Sequence, residues 1–351
     1  MTKHVLLTGA GGFVGSHVLR HLMVNTDWTV SAPVTFRHKG VPKRIASALE
    51  TNPEWWERVD VVYCDLSAPI DSVTAARFGK VDYLLNVASE SHVDRSIETP
   101  GPFIENNVRL MTNVLDYARQ AQPEMVLQMS TDEVYGPAPD GYEHREWDAI
   151  APSNPYSASK AAQEAICFTY WRTFGVPVVI TNTMNILGET QDQEKFLPKT
   201  MRALLRGEPA TVHVSPEGRP GSRFYLHARN LADAWLWLLR NHAPQMYGHH
   251  DRPSRFHIVG EREVDNVEMV HLLARFMGID DPKLDLVDFH SSRPGHDLRY
   301  GLDGRKLATA GWVPPLALED SLRKTVEWTL RHPEWLGLEA AGSHTTVWSV
   351  A

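Results

Sequence analysis

The chain has 351 residues, of which 42% are hydrophobic and 22% charged, with a formal net charge of −8. This is ordinary globular composition, long enough for two domains or one large α/β unit, and the acidic balance argues against a nucleic-acid or anionic-membrane surface. Two cysteines, Cys64 and Cys167, lie far apart and match no metal or redox spacing, so a reducing compartment is expected. Strand-like HVLLT begins at His4, leaving no room for a leader, and no apolar run reaches membrane-spanning length. A cytoplasmic protein is the expectation.

In chain order, strands are predicted at His4 to Thr8, Val59 to Cys64, Tyr83 to Ala88, Met125 to Ser130 and Val176 to Thr181. They are rich in Val, Leu and Ile with little polar alternation, as strands buried on both faces should be. Helical patterns separate them: in ENNVRLMTNVLDYARQA the positions Val108, Met111, Leu115 and Ala118 share one face. Short strands alternating with helices predict a Rossmann-like, doubly wound parallel sheet with right-handed crossovers. Beyond Gly188 the chain becomes more polar, and helices are predicted at Leu231 to Arg240 and Asn266 to Gly278. Residues 1–188 therefore read as a dinucleotide-binding domain and 189–340 as a smaller α/β substrate domain that can interleave with the first. Residues 341–351 read as a tail.

LLTGAGGFVGSH follows the first strand and opens a helix, placing Gly9, Gly12 and Gly15 in a G-x-x-G-x-x-G spacing. Glycines allow a tight turn and close backbone approach to a pyrophosphate, whose charge sits at the helix N-terminus. An NAD site usually carries an acid roughly 20 residues further on, against the adenosine ribose. Here no acid occurs between Asp27 and Glu50, and Arg37, His38 and Lys39 supply positive charge instead. That charge suits either the 2′-phosphate of NADP or a solvated loop; NAD is expected, with NADP as the alternative.

NPYSASKAAQE sets Tyr156 and Lys160 four residues apart at the start of a helix, on one face. An ammonium beside a phenol favours the phenolate and predicts a lowered tyrosine pKa suited to general base work. MSTDEVYG places Asp132 and Glu133 side by side directly after an apolar strand. A solvated turn would explain two adjacent acids. So would one protonated and one ionised carboxyl group acting on a single substrate.

TGAGGFVGSH, YSASK and the order of strands together resemble the extended short-chain dehydrogenase/reductase family. Within it, SESHVDRSI, STDEVYG, NPYSASKAA and RPGHDLRY resemble the dTDP-glucose 4,6-dehydratases, and the resemblance runs to about Arg331. It implies a lyase that oxidises a nucleotide-linked glucose at C4, eliminates water across C5–C6 and returns the hydride to C6. The resemblance assigns Tyr156, with Lys160, the C4 hydroxyl proton, Thr131 a hydrogen bond to the C4 oxygen, Asp132 the acid at the C6 oxygen and Glu133 the base at C5. It places Phe13 and Val14 over the cofactor phosphates, Asp65 and Leu66 near adenine, and Val87, Ala88 and Ser89 along the nicotinamide side. Ser91, Asn185, Lys195, Arg223, Asn266, Arg293 and His296 match substrate-contacting positions. Asn266 has a second explanation as a helix cap.

The sequence also departs from the family's pattern, reading NILGE at Asn185 to Glu189, Gln193 where a proline is usual, and RFYLHARN at Arg223 to Asn230. These departures bear on which nucleotide and hexose are used. Epimerases and decarboxylases of the same fold are the alternative, and a non-catalytic dinucleotide sensor is a weaker one, since this chain keeps Tyr156, Lys160 and both acids. His249, His250 and Asp251 lack metal-ligand spacing, so no metal is expected. The resemblance also implies a homodimer formed by a four-helix bundle of the helices near Asn106 to Ala121 and Ser157 to Phe174.

Overall fold

The computed structural model describes residues 2–37, 39–288 and 298–338. Seven parallel strands form the central sheet: β1 (His4–Thr8), β2 (Thr29–Val34), β3 (Val59–Tyr63), β4 (Tyr83–Asn86), β5 (Met125–Thr131), β6 (Val178–Thr183) and β11 (Ser254–Ile258). Their spatial order is β11-β6-β5-β4-β1-β2-β3, which reverses direction beside β1 as a doubly wound sheet must. The expected Rossmann-like architecture is present, with two strands that the sequence patterns did not reveal.

β2 was hidden because TVSAPV carries Ser31 and Pro33 inside a strand. Pro33 is tolerated because β1 pairs with β2 only from Thr29 to Ser31, so at Pro33 the ladder continues on the β3 side, opposite Val62. β11 enters the sheet beside β6 after about seventy residues of other structure, in register from Ser254↔Val179 to Ile258↔Thr183.

Alternate residues of each strand serve opposite layers. Val5 and Leu7 pack with α1 (Phe13–Asn25), α2 (Pro42–Leu49) and α8 (Ala228–Asn241), through Leu19, Leu22, Ile45, Leu231 and Trp235. Leu6 and Leu84 face the other side, where α3 (Ser72–Phe78), α5 (Pro100–Ala121) and α6 (Pro155–Phe174) contribute Phe78, Met111, Leu115 and Cys167. Each fully buried side chain of this size contributes about 1.5–3 kcal/mol. α4 (Val93–Glu98) is a short helix ahead of α5.

The remaining elements build a separate core around Leu204, Val212, Leu273 and Leu322. β8 (Ala210–Val214) pairs in parallel with β13 (Leu284–Asp288), while β9 (Ser222–Phe224) pairs antiparallel with β12 (Glu263–Asp265). β7 (Ile186–Leu187) and β10 (Leu226–His227) make a third small pair. Helices α7 (Phe196–Leu205), α9 (Asn266–Phe276) and Leu318–Arg331 cover them. Among the described residues no helix is long and apolar enough to cross a membrane.

Candidate active site

A cleft of about 320 Å³ opens at the C-terminal ends of β1, β2, β4 and β5, where α1 begins. The glycines at its floor are required by geometry. Gly9 has φ +74, and a Cβ there would stand 2.9 Å from the Ala88 nitrogen; a Cβ on Gly15 would come within 2.1 Å of the Gly9 carbonyl oxygen. Gly12 caps α1 without a side chain, so the first N–H groups of that helix have no side-chain partner at the N-cap. The cleft is therefore a cradle of bare backbone facing a helix N-terminus, which fits a dinucleotide pyrophosphate.

All twelve residues expected to hold the cofactor line this cleft: Gly9, Gly12, Phe13, Val14, Gly15, Asp65, Leu66, Val87, Ala88, Ser89, Tyr156 and Lys160. At the end of the cleft beside β2 and β3 the basic residues are committed to acids. Arg37 donates to Asp65 at 2.5 Å, and Lys39 pairs with Glu194 at 2.9 Å; His38 lies outside the described residues.

β5 ends at Thr131, whose hydroxyl caps a single 3₁₀ turn, Asp132–Tyr135. That turn brings the acids to the sheet edge instead of the solvent. Asp132 is only 3% exposed, and the Thr131 hydroxyl donates to its Oδ1 at 2.9 Å. Burial first, and then the Glu133 charge, push the Asp132 carboxyl up to about 7. Glu133 is less buried and accepts from Asn154 Nδ2 at 3.2 Å. Asn154 also heads α6, in a reciprocal capping box with Ser157. Sequence reasoning missed Asn154, although its position two residues before Tyr156 was a usable signal.

Tyr156 hydrogen-bonds Thr131, and burial followed by the Glu133 charge raises its phenol above the ordinary value. The lowering expected from Lys160 is not found. Lys160 turns its ammonium to the Met129 carbonyl (2.8 Å) and to Gln163 Oε1 (2.6 Å), and burial brings it down to about 8.

The substrate-contacting positions divide. Ser91 and Lys195 line the cleft, with Lys195 Nζ donating to the Ser91 carbonyl at 3.2 Å. Arg223 is buried, donates to the carbonyls of Ser222 and Leu298, and stacks 4.5 Å over the Tyr300 ring. Asn266 accepts the Tyr225 hydroxyl, and the cap of α9 is Asp265. Asn185 is exposed beside β7. Arg293 and His296 lie outside the described residues.

Two of the departures, Glu189 and His227, meet His17 in space, with ligand-type atoms within 4.8 Å of one another. His227 Nδ1 accepts the Arg229 N–H at 2.9 Å, so the ring proton of the neutral imidazole sits on Nε2, 3.1 Å from Glu189 Oε2. His17 Nε2 faces the Glu189 carbonyl oxygen at 2.9 Å and donates to it. The ring nitrogens nearest the glutamate thus both carry protons, which a metal ion would have to displace.

Residues 5–249 match the sequence pattern of the NAD dependent epimerase/dehydratase family. The chain is 31% identical to a dTDP-glucose 4,6-dehydratase of Salmonella typhimurium, covering 97% of this chain and 96% of that one. It is 33% identical to the low-salt glycan biosynthesis protein Agl12 of Haloferax volcanii, covering 94% and 99%. Among solved structures, a dTDP-glucose 4,6-dehydratase double mutant of Streptomyces venezuelae with NAD bound superposes with a TM-score of 0.82 at 29% identity, over 96% of this chain and 99% of that one. With the glycine cradle, the Tyr156–Lys160 helix and a match over most of its length, this chain belongs to the NAD-dependent epimerase/dehydratase family.

Proposed function

We propose that the protein is a nucleotide-sugar 4,6-dehydratase that converts an NDP-glucose, with dTDP-glucose the first candidate, to the 4-keto-6-deoxy sugar. The observation that carries this reading is the pair of unlike carboxyl groups at the end of β5. Asp132 is buried with its pKa raised to about 7, while Glu133 is more open and hydrogen-bonded by Asn154. Elimination of water needs an acid and a base at neighbouring carbons, and unlike environments supply them at one pH.

NAD in the cleft would accept the C4 hydride and later return it to C6. Tyr156 takes the proton of the C4 hydroxyl, and Lys160, whose ammonium faces the Met129 carbonyl and Gln163, is the cation on the same helix face for this step. Thr131 orients the C4 oxygen. Glu133 removes the C5 proton, made acidic by the C4 ketone, and Asp132 protonates the departing C6 hydroxyl. Ser91 and Lys195 line the same cleft and suit the sugar and its diphosphate. Asn185, Arg223 and Asn266 are kept as substrate positions in this reading, the Arg223 guanidinium being already bonded to the Ser222 and Leu298 carbonyls. The same reading includes a homodimer in which α5 and α6 of two copies form a four-helix bundle, tested by sedimentation.

The test is isotopic. dTDP-glucose deuterated at C4 should give a 4-keto product with deuterium at C6 and a solvent proton at C5. Deuterium returned to C4 with the C6 oxygen retained would instead identify an epimerase, and loss of carbon dioxide from a uronate substrate would identify a decarboxylase.

A further inference from the structure

A string of buried polar side chains crosses the hydrophobic interior beneath the catalytic helix. The Thr8 hydroxyl, at the end of β1, accepts the N–H groups of Val87 and Ala88 at 3.1 Å each and donates to Asn86 Oδ1 at 2.6 Å. Asn86 Nδ2 donates to Gln128 Oε1 on β5 at 2.6 Å. Gln128 Nε2 donates to the Met129 carbonyl at 2.7 Å and to Gln163 Oε1 on α6 at 3.3 Å. Gln163 Nε2 donates to the Asn107 carbonyl of α5 at 2.9 Å, and its Oε1 receives the Lys160 ammonium at 2.6 Å. Thr8, Asn86, Gln128 and Gln163 are each no more than 1% exposed.

The direction of every bond is fixed from one end. Two backbone N–H groups occupy the Thr8 oxygen as acceptor, so its own proton must go to an oxygen of Asn86. That turns the Asn86 amide nitrogen to the Gln128 oxygen, and the Gln128 nitrogen to Gln163. Gln163 is left with its oxygen toward Lys160. Apolar residues would fill these interior positions at lower desolvation cost, so a fully satisfied amide string there has to be explained by what its last oxygen does.

We propose that Gln163 is a positioning residue for Lys160, and that Thr8, Asn86 and Gln128 lock its amide so that the oxygen always faces the ammonium. This deepens the dehydratase reading and rests on it for the role of Tyr156 and Lys160. A neutral acceptor holds the ammonium without cancelling its charge, which a carboxylate in the same place would do. The other ionisable groups acting on Lys160 are Glu164 and Cys167 of its own helix, and Glu164 is taken up by Arg255 of β11 at 2.5 Å. From the end of β5, Asp132 and Glu133 act on Tyr156. The string begins at Val87 and Ala88, which line the cleft, so it ties the lysine to the backbone of the cofactor site.

Gln163→Leu keeps the approximate shape and removes the acceptor, while Gln163→Glu keeps the acceptor and adds a charge. NMR titration of the isotope-labelled Lys160 side chain should show its midpoint lowered in Gln163→Leu and raised in Gln163→Glu, by about one pH unit each. In both variants the rise of single-turnover cofactor reduction with pH should move upward, slowing that step about ten-fold at neutral pH. Gln128→Met should shift Lys160 in the Gln163→Leu direction by less. A Lys160 midpoint that is the same in wild type, Gln163→Leu and Gln163→Glu, all folded by circular dichroism, overturns the proposal. That titration needs no substrate, so a wild-type protein that forms no 4-keto sugar would defeat the dehydratase reading while leaving this inference to be decided by the NMR result.

Discussion

The two ends of the cleft are built from different material. The phosphate end is backbone: Gly9, Gly12 and Gly15 remove side chains so that a helix N-terminus lies bare. The other end is side chain: Tyr156 and Lys160 line it, with Tyr156 joined by hydrogen bonds behind it to Thr131, Asp132, Glu133 and Asn154, and Lys160 held by the Met129 carbonyl and Gln163. Backbone sites tolerate little steric change but are insensitive to pH. Side-chain sites keep their shape through isosteric replacement and lose their chemistry. The difference can be tested at both ends.

The largest effect is expected at the side-chain end. Tyr156→Phe should slow C4 oxidation by about 10⁴-fold, the upper end for general base loss, with no reduced cofactor seen after rapid mixing. Reduction at the wild-type rate would move the base elsewhere.

Asp132→Asn should still allow C4 oxidation but slow water loss by about 10²–10³-fold, read as accumulation of reduced cofactor. In the wild type, acid competence should fall as pH rises through about 7, where Asp132 loses its proton. The same carboxyl bears on stability. Its folded pKa lies above the unfolded 3.8, so its contribution is fully present below that value and is lost as pH rises to about 7. Asp132→Asn should therefore gain on the wild type across that window, by about 4 kcal/mol at most. Equal denaturant midpoints for the two proteins at pH 5 and pH 8 would contradict the burial argument.

At the backbone end, Gly9→Ala forces a side chain into a left-handed conformation beside Ala88, at a cost of about 1–2 kcal/mol. Cofactor retention should drop by roughly ten-fold with the pH profile unchanged, measured by calorimetric titration. The smallest effect is expected of Arg37→Ala, since Arg37 is exposed and paired with Asp65. Denaturation of the wild type and of this variant should release NAD in both cases; release of NADP from the wild type alone would assign Arg37 to a 2′-phosphate.

This contrast also explains what the sequence made legible. Glycine spacing, strand runs and the Tyr–Lys interval are local patterns, and all twelve residues expected at the cofactor fall in one cleft. β2 and β11 escaped because TVSAPV and SRFHI carry polar or proline residues whose burial depends on partners far along the chain. The pairing of Gln128 with Gln163 is not legible either, because it exists only once β5 and α6 pack together. The direction of the Tyr156 shift was misjudged for the same reason: spacing put Lys160 on the right face, but burial and the Glu133 charge raise the phenol, and Gln163 and the Met129 carbonyl hold the ammonium.

One feature of the sheet reaches beyond the site. β6 is flanked on its outer side by β11, which begins at Ser254. As the chain leaves the ribosome, six strands are available long before the seventh, and β6 waits as an open edge while about seventy further residues are made. The match to the family ends at residue 249, so a fragment trimmed there would retain the glycine cradle, Asp132 and Glu133 yet leave the outer edge of β6, VVITNT, unpaired. Such an edge recruits strands from neighbouring chains. A truncated copy, whether made by early termination or by design, should be recovered as aggregate.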